Sequence, residues 1–374
     1  MQPYNPQTPA SPEAFAGRHE VLAHVQRALE AAVQQRRGQS ILLHGYRGSG
    51  KTSALRKIEA MAAATDPAGL IVEVPLRVPS SEALLIHAIA EQVRRVIARQ
   101  SSPSARVKRA LQSLNSISIL GSGIQRTPPA PESALHPLTI WSDVIEAMEG
   151  RPFLCLCIDD AELLEAEHVG ILKSIAEWPS PTPILMVVAG GQELLERLSV
   201  RGGSPVLRTF SGAVFDIGQF TLAETREALE TPLLKLGVRA SWDPAAVGLI
   251  HHLTHGYPYL VQCFAAAAYE PDRTISERRV RESTPEALRL ASSWLERELP
   301  HASDEDIRTF VKIANLGRSE MTSEDLAPLN LIPAYLSRLE KAGVLKRMAR
   351  GHYELRLAPA VAYFHALRRG LDKD

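Results

Sequence analysis

A chain of 374 residues is long enough for two or three domains, and its formal net charge is zero. Its 45% hydrophobic and 22% charged residues suit a soluble protein with a sizeable core, and no apolar run is long enough to span a membrane. A neutral chain has no global field that attracts nucleic acid or membrane surfaces, so such binding has to come from local patches.

The cysteine content and the N-terminal residues indicate in which cellular compartment the protein is expected. Three cysteines are too few for a disulfide framework, and Cys155 and Cys157 lie in an apolar run that favours small core residues over metal ligands. The proline-rich start lacks a basic stretch followed by apolar residues, which predicts a flexible arm over residues 1–14 rather than a secretory signal. These features predict a cytoplasmic protein.

Up to residue 215, apolar strands alternate with helices. Helical spacing of apolar residues predicts helices that end near Gln35 and cover residues 51–64 and 81–99. Strands are predicted at residues 40–44, 70–76, 152–158 and 183–189. Strands that are apolar along their whole length are typical of a parallel sheet covered on both faces. We therefore predict an α/β core over residues 15–215.

After residue 215 the predicted strands stop and helices follow. Thr221 and Glu224 have the spacing of a capping box. Helices are predicted over residues 221–236, 244–254, 257–269 and 285–298. We interpret residues 216–299 as a helical lid. Residues 300–374 are predicted to form three helices and two short strands, which is the order of a winged helix-turn-helix.

A glycine-rich segment carries the strongest functional signal. It fits G-x-x-x-x-G-K-[ST] between a predicted strand and a predicted helix, where backbone amides and the helix N-terminus cradle phosphates. A chance match is the alternative, and this context argues against it. Lys51 should reach the β- and γ-phosphates, and the Thr52 hydroxyl should bind Mg²⁺. The predicted ATP-binding residues here are Gly45, Tyr46, Arg47, Gly48, Ser49, Gly50, Lys51, Thr52 and Ser53.

Two carboxylates end the apolar run near residue 158. Asp159 is expected to bind the magnesium ion, and Asp160 to orient or deprotonate the attacking water. Glu162, two residues further on, could share that second role. The alternative is that these acids only favour the start of the following helix.

With both elements, the chain resembles the AAA+/STAND group of P-loop ATPases, and within it the bacterial and archaeal relatives of origin-recognition ATPases that carry a C-terminal winged helix. The resemblance rests also on Phe15-Ala-Gly-Arg-His-Glu20, on Met186-Val-Val-Ala-Gly-Gly-Gln192 and on His255-Gly-Tyr-Pro258. It implies nucleotide contacts from Gly17 and Arg18 near the adenine and from Pro258 in the lid. The usual sensor-1 polar residue is not obvious, and Gln192 is the residue that could stand in for it.

Members of this group often complete a neighbour's active site with an arginine, which implies an ATP-dependent homo-oligomer. Arg208 is the residue that the resemblance suggests, with Arg201 and Arg197 as alternatives. The lid has no arginine at the sensor-2 position, where Pro258 and Tyr259 stand. This departure favours slow hydrolysis.

Two basic stretches are candidate DNA contacts. The first has no acidic residue between Gln92 and Pro131, and the second lies in the predicted wing. Their candidate residues are Arg94, Arg95, Arg99, Arg106, Lys108, Arg109 and Arg126, with Lys346, Arg347 and Arg350. The alternatives are a solvated helix face with a loop, and a protein interface on the winged helix.

The sequence thus predicts an ATP-dependent switch that oligomerises and engages duplex DNA. The competing hypothesis is a STAND-type signalling ATPase that controls a protein effector without nucleic acid. A small-molecule kinase fits less well, because the lid, the winged helix and the acidic pair favour nucleotide switching over an acceptor pocket.

Overall fold

The chain divides into two compact units. The structure is a computed structural model that describes residues 2–98, 136–199 and 206–371. One unit comprises Arg18–Ile217, and the other comprises Met1–Gly17 with Gly218–Asp374. We call the first the sheet unit and the second the helical unit.

The sheet unit is built on five parallel strands. Their order across the sheet is β2-β3-β4-β1-β5. Every residue of β3 and β4 is buried, as expected for strands covered on both faces. The predicted α/β class is therefore confirmed. The strands are β1 (Gln39–His44), β2 (Leu70–Pro75), β3 (Leu154–Asp159), β4 (Ile184–Gly190) and β5 (Val214–Asp216).

Six helices accompany the described strands. The first three were predicted, whereas the last three and β5 were not, because none of these offers a long periodic or apolar pattern. The helices are α1 (His19–Gln34), α2 (Lys51–Ala63), α3 (Glu82–Ala98), α4 (Pro137–Ala147), α5 (Gly170–Ala176) and α6 (Gln192–Ser199).

Parallel pairing brings the carboxyl ends of the strands to one edge of the sheet. His44 pairs with Gly190 where β1 and β4 end. On the other side of β4, Ile158 pairs with Val188, one residue before β3 ends. The loops after these three strands therefore begin next to one another, as ligand sites in open α/β sheets do.

The helical unit is mainly helical, with two small sheets. Strands β8, β10 and β9 form an antiparallel sheet in that order, and β6 pairs with β7. Its helices are α7 (Leu222–Leu236), α8 (Pro244–Thr254), α9 (Pro258–Ala268), α10 (Glu277–Leu290), α11 (Ser292–Leu295), α12 (Asp304–Ala314), α13 (Ser323–Leu326), α14 (Pro333–Lys341) and α15 (Pro359–Arg369). The strands are β6 (Ser241–Trp242), β7 (Thr274–Ile275), β8 (Glu320–Thr322), β9 (Leu345–Ala349) and β10 (His352–Leu355). None of the described helices has both the length and the hydropathy that crossing a membrane requires.

Local signals explain where the predictions for this unit held and failed. The capping box is present, because Thr221 Oγ1 accepts a hydrogen bond from the Glu224 amide and the Glu224 carboxylate accepts one from the Thr221 amide. The prediction that a helix starts at Pro285 is wrong. Helix α10 begins eight residues earlier, at Glu277, where Ser276 caps it, and Pro285 lies inside the helix. Strands β6, β7 and β8 and helix α15 were not predicted, so the expectation that the predicted lid contains no strands is wrong.

The helical unit has a core assembled from distant parts of the chain. Its buried residues include Tyr4 and extend to Ala366, so the predicted lid and the predicted winged helix share one core. Tyr4 is almost fully buried, its hydroxyl donates to the Leu229 carbonyl, and Trp242 Nε1 donates to that hydroxyl over 2.7 Å. The segment predicted to be a flexible arm therefore supplies a core residue, because an aromatic ring with a partnered hydroxyl is well suited to burial.

Replacing Tyr4 with Phe should destabilise the helical unit by about 1–3 kcal/mol, because the Leu229 carbonyl and the Trp242 indole would lose their shared partner. The free energy of unfolding can be measured by urea denaturation. Tyr46→Phe is the matched control, since the Tyr46 ring is 63% exposed. Equal losses in the two variants would contradict the assigned role of Tyr4.

Candidate active site

Glycines in the loop between β1 and α2 meet specific backbone demands. Gly48 and Gly50 have φ angles of 82° and 92°, in the left-handed region that favours glycine. A Cβ atom at Gly45 would lie 2.4 Å from the Ile217 carbonyl oxygen. The motif pattern therefore reflects backbone geometry at three positions.

Hydrogen-bond donors gather where this loop enters α2. Gly50 precedes the helix and no side chain caps its first turn, which leaves a positive helix end facing the loop. Ser49 Oγ is buried with no hydrogen-bond partner among the described residues. Lys51 Nζ donates to the carbonyls of Gly45 and Tyr46 over 2.9 and 3.0 Å, so one of its three protons stays available. This arrangement can bind an anion such as a phosphate.

The charge of Lys51 is balanced by nearby carboxylates. Burial lowers the pKa of the Lys51 ammonium, and the negative charges of Glu162, Asp159 and Asp160 act in the opposite direction. The site therefore combines one buried cation with an acidic edge, which suits a ligand that carries both phosphates and a divalent cation.

Thr52 and Asp159 meet as the sequence predicted. Thr52 Oγ1 donates to Asp159 Oδ2 over 2.6 Å, and Asp159 Oδ1 accepts from the Asp160 amide over 3.0 Å. Asp159 is buried at the end of β3. A hydroxyl and a carboxylate are the hard oxygen ligands that Mg²⁺ takes in proteins, so these two residues fit the ion.

The two candidate bases have different surroundings. Asp160 opens to solvent with a φ of 53°, and partial burial of its carboxyl raises its pKa. Repulsion from Asp159 and Glu162 adds to the rise, whereas Lys51 and Arg77 oppose it. Glu162 Oε2 instead accepts a hydrogen bond from the Gly191 amide over 3.0 Å. Asp160 is thus the better placed of the two to contact a water.

A residue that the sequence analysis did not single out lies at the same edge. His44 ends β1 directly before the loop, and its Nδ1 is 3.1 Å from Oε1 of Gln192, the first residue of α6. A polar residue at the end of an otherwise apolar strand was the signal that could have identified it.

The remaining predicted nucleotide contacts divide between the units. Arg18 Nη2 donates to the Ser49 carbonyl over 3.4 Å, within the sheet unit. Gly17 belongs to the helical unit, where its φ is 72° and an added Cβ would lie 2.8 Å from Glu224 Oε1. Pro258 is the first residue of α9 in the helical unit. In the loop itself, the Tyr46 side chain is exposed.

The three arginines proposed to act in a neighbouring subunit differ in their contacts. Arg197 Nη1 donates to the carbonyls of Glu162 and Leu164 over 2.6 and 2.9 Å, so it already stabilises its own subunit. Arg208 is exposed in a short turn, with no side-chain partner in the described part of the chain. Arg201 lies outside the described residues. These contacts favour Arg208 over Arg197.

Several of the predicted DNA contacts are already paired. Arg94 and Arg95 both bind Glu91, over 2.6 and 2.8 Å. On β9, Arg347 binds Glu340 over 3.1 Å and lies over the Tyr353 ring. Lys346 and Arg350 are exposed and form no ion pair within residues 206–371. The other candidates, Arg99, Arg106, Lys108, Arg109 and Arg126, lie outside the described residues.

A half-buried acid, Glu59, lies on α2. Burial, with repulsion from Glu73, raises the pKa of the Glu59 carboxyl to about 7, against the lowering effect of Arg56. Its Oε1 has no partner among the described residues. Cys155 and Cys157 are buried and form no disulfide, with their sulfurs 3.9 Å apart. The hydrogen bond with Cys155, together with burial, raises the pKa of the Cys157 thiol. The prediction that both cysteines are core residues is confirmed.

Glu59→Gln should stabilise the protein at pH 8 and have little effect at pH 5. The folded protein holds the Glu59 proton up to about pH 7, whereas the unfolded chain releases it near 4.5, so stability from this group is lost as pH rises between these values. Thermal unfolding at both pH values measures the difference, with Glu196→Gln as an exposed control. A pH-independent effect would contradict the raised pKa.

Comparison with known families agrees with this geometry. Residues 14–188 match the family model of the AAA ATPase domain. The chain carries an AAA ATPase domain. The match includes the loop, Asp159, Asp160 and most of β4, whereas Gln192 and Arg208 follow it. A search of the curated proteins finds no sequence match.

Solved structures with a similar fold match both the sheet unit and the helical unit. The ORC2 protein of Aeropyrum pernix, in ADPNP-ADP complexes, is 17% identical with a TM-score of 0.53, and the match covers 95% of each chain. Cdc6p of Pyrobaculum aerophilum is 14% identical with a TM-score of 0.51, covering 98% of this chain and 97% of that one. These likenesses confirm the predicted origin-recognition-like fold.

Proposed function

We propose that the protein is a Mg²⁺-dependent ATPase that hydrolyses ATP slowly and acts as a switch. The observation that supports this proposal most is the convergence of Lys51, the Thr52–Asp159 pair and an uncapped helix N-terminus at one sheet edge. The ORC2 protein of Aeropyrum pernix, which has the same fold, was solved in ADPNP-ADP complexes.

The residues at this edge of the sheet have distinct roles in ATP hydrolysis. Bound Mg²⁺ would supply charge neutralisation for the phosphates, and Thr52 and Asp159 would hold it. Lys51 binds the β- and γ-phosphates, and Asp160 orients the water. The water oxygen bonds to the γ-phosphorus while the bond to the bridging oxygen breaks. ADP leaves with that electron pair, and Asp160 accepts the water proton before it passes to solvent.

Slow turnover follows from the side chains that take up these positions. Asp160 is shorter than glutamate, so its hold on the water is weaker, and Glu162 is engaged by the Gly191 amide. The lid sequence has Pro258 where an arginine would assist the γ-phosphate. An exposed Arg208 from a neighbouring subunit would supply that positive charge, which couples hydrolysis to assembly of a homo-oligomer.

Lys51→Ala should abolish ATP binding or reduce turnover at least 100-fold, because the γ-phosphate loses its buried cation. A fluorescent ATP analogue measures binding, and phosphate release measures turnover. Lys173→Ala is the control, since Lys173 lies on α5 in a weak surface ion pair. Normal turnover by Lys51→Ala would show that the loop is not the ATPase site.

We propose further that the ATP-bound oligomer engages duplex DNA through the basic residues of positions 94–126 and the wing, and that hydrolysis releases it. Support comes from the exposed Lys346 and Arg350, and from the concentration of basic residues in a neutral chain. The alternative is a STAND-type ATPase whose C-terminal module holds a protein effector. The exposed side chains of Ile332 and Met348 and the pairing of Arg347 favour that alternative.

Duplex-DNA binding, measured by fluorescence polarisation with ATP, with ADP and at rising salt, separates the two. Changing Arg106, Lys108 and Arg109 to Ala should weaken binding and reduce the salt slope by about 0.9 per lost phosphate contact. Lys346→Ala with Arg350→Ala tests the wing in the same way. The control is Arg278→Ala, which removes an exposed arginine paired with Glu282.

Negligible binding by the wild-type protein under every condition would exclude the DNA proposal and leave the effector alternative. Equal weakening in the Arg278→Ala control would show that only total charge, and no particular surface, governs the interaction.

A further inference from the structure

The end of β4 is held from both sides at the active-site edge. On the β3 side, the Glu162 carboxylate accepts a hydrogen bond from the Gly191 amide. On the β1 side, the next residue, Gln192, has its Oε1 3.1 Å from Nδ1 of His44. Since β4 lies between β3 and β1, these two bonds fix the turn that leads into α6.

His44 itself is firmly placed. It is 8% exposed, it pairs with Gly190 in the sheet register, and its carbonyl accepts from the Ile217 amide over 2.6 Å. The next residue is Gly45, the first of the phosphate-binding loop. These contacts fix the backbone from which the imidazole extends, at the start of the loop.

The hydrogen bond to His44 determines which end of the Gln192 carboxamide remains available. Contact between Nδ1 and Oε1 requires the imidazole proton on Nδ1, because the amide oxygen only accepts. The Gln192 amide nitrogen then has no partner within the described residues and, on an exposed side chain, can donate to a ligand.

We propose that His44 is a positioning residue for ATP hydrolysis, which holds Oε1 of Gln192 so that the amide nitrogen donates to a γ-phosphate oxygen. This proposal rests on the proposed ATPase function. Lys51 approaches the same phosphate from the loop, and Gln192 approaches it from the end of β4. A glutamine side chain has three rotatable bonds, so fixing its oxygen orders the donor before charge develops on the phosphate.

The role can be tested with His44→Ala, His44→Asn, Gln192→Ala and the double variant His44→Ala/Gln192→Ala. In single-turnover phosphate release at saturating Mg²⁺ and ATP, His44→Ala should be roughly 10-fold slower or more, with nearly unchanged affinity for an ATP analogue. His44→Asn should recover most of the rate, because the asparagine amide nitrogen stands in for Nδ1. The double variant should be no slower than Gln192→Ala.

His301→Ala is the matched control, because His301 is exposed in the helical unit. Wild-type turnover by His44→Ala, equal losses in His44→Ala and His44→Asn, or additive losses in the double variant would each overturn the proposal. Failure of the ATPase function itself has a different signature. In that case the wild type and Lys51→Ala release phosphate equally, and both proposals fall together.

Discussion

The hydrogen bond between Thr52 and Asp159 is the contact on which the rest of the site depends. It joins the first turn of α2 to the end of β3, two elements separated by 107 positions in the chain. Because Thr52 follows Lys51 directly, the same contact fixes the direction from which the ammonium meets the loop carbonyls. The acids after β3, the turn after β4 and the end of β1 all lie near this contact, because these three strands end at the same edge of the sheet.

The sequence was sufficient for the parts of this arrangement that depend on local chemistry. The loop pattern, the apolar strand before Asp159 and the capping box at Thr221 each have a physical reason that acts over a few residues. Long-range partners were not accessible in this way. The contact between His44 and Gln192, the engagement of Glu162 by Gly191 and the pairing of Arg197 with two carbonyls depend on which strands become neighbours.

Counting basic and acidic residues along the sequence also overestimated the unpaired positive charge on the part of the surface that the structure describes. A run without acidic residues from position 92 appears strongly basic, yet Glu91 lies just outside the run and binds both Arg94 and Arg95. In the C-terminal module, Arg338 is held by the buried Asp306 over 2.6 Å and Arg356 by Glu354 over 2.8 Å. Neighbours on the same helix, on an adjacent helix or two residues away along the chain neutralise these charges. The surface that could attract a phosphate backbone is therefore smaller and depends on fewer lysines and arginines.

The core position of Tyr4 has a consequence for how the protein is made. The carbonyl that accepts its hydroxyl proton belongs to Leu229, 225 positions later, and the indole that donates to it lies later still. On the ribosome, the sheet unit can emerge complete while the first residues still have no partner. The N-terminal segment must wait, exposed, until synthesis has passed residue 242. A truncated product ending near residue 217 would lack both of these partners of Tyr4.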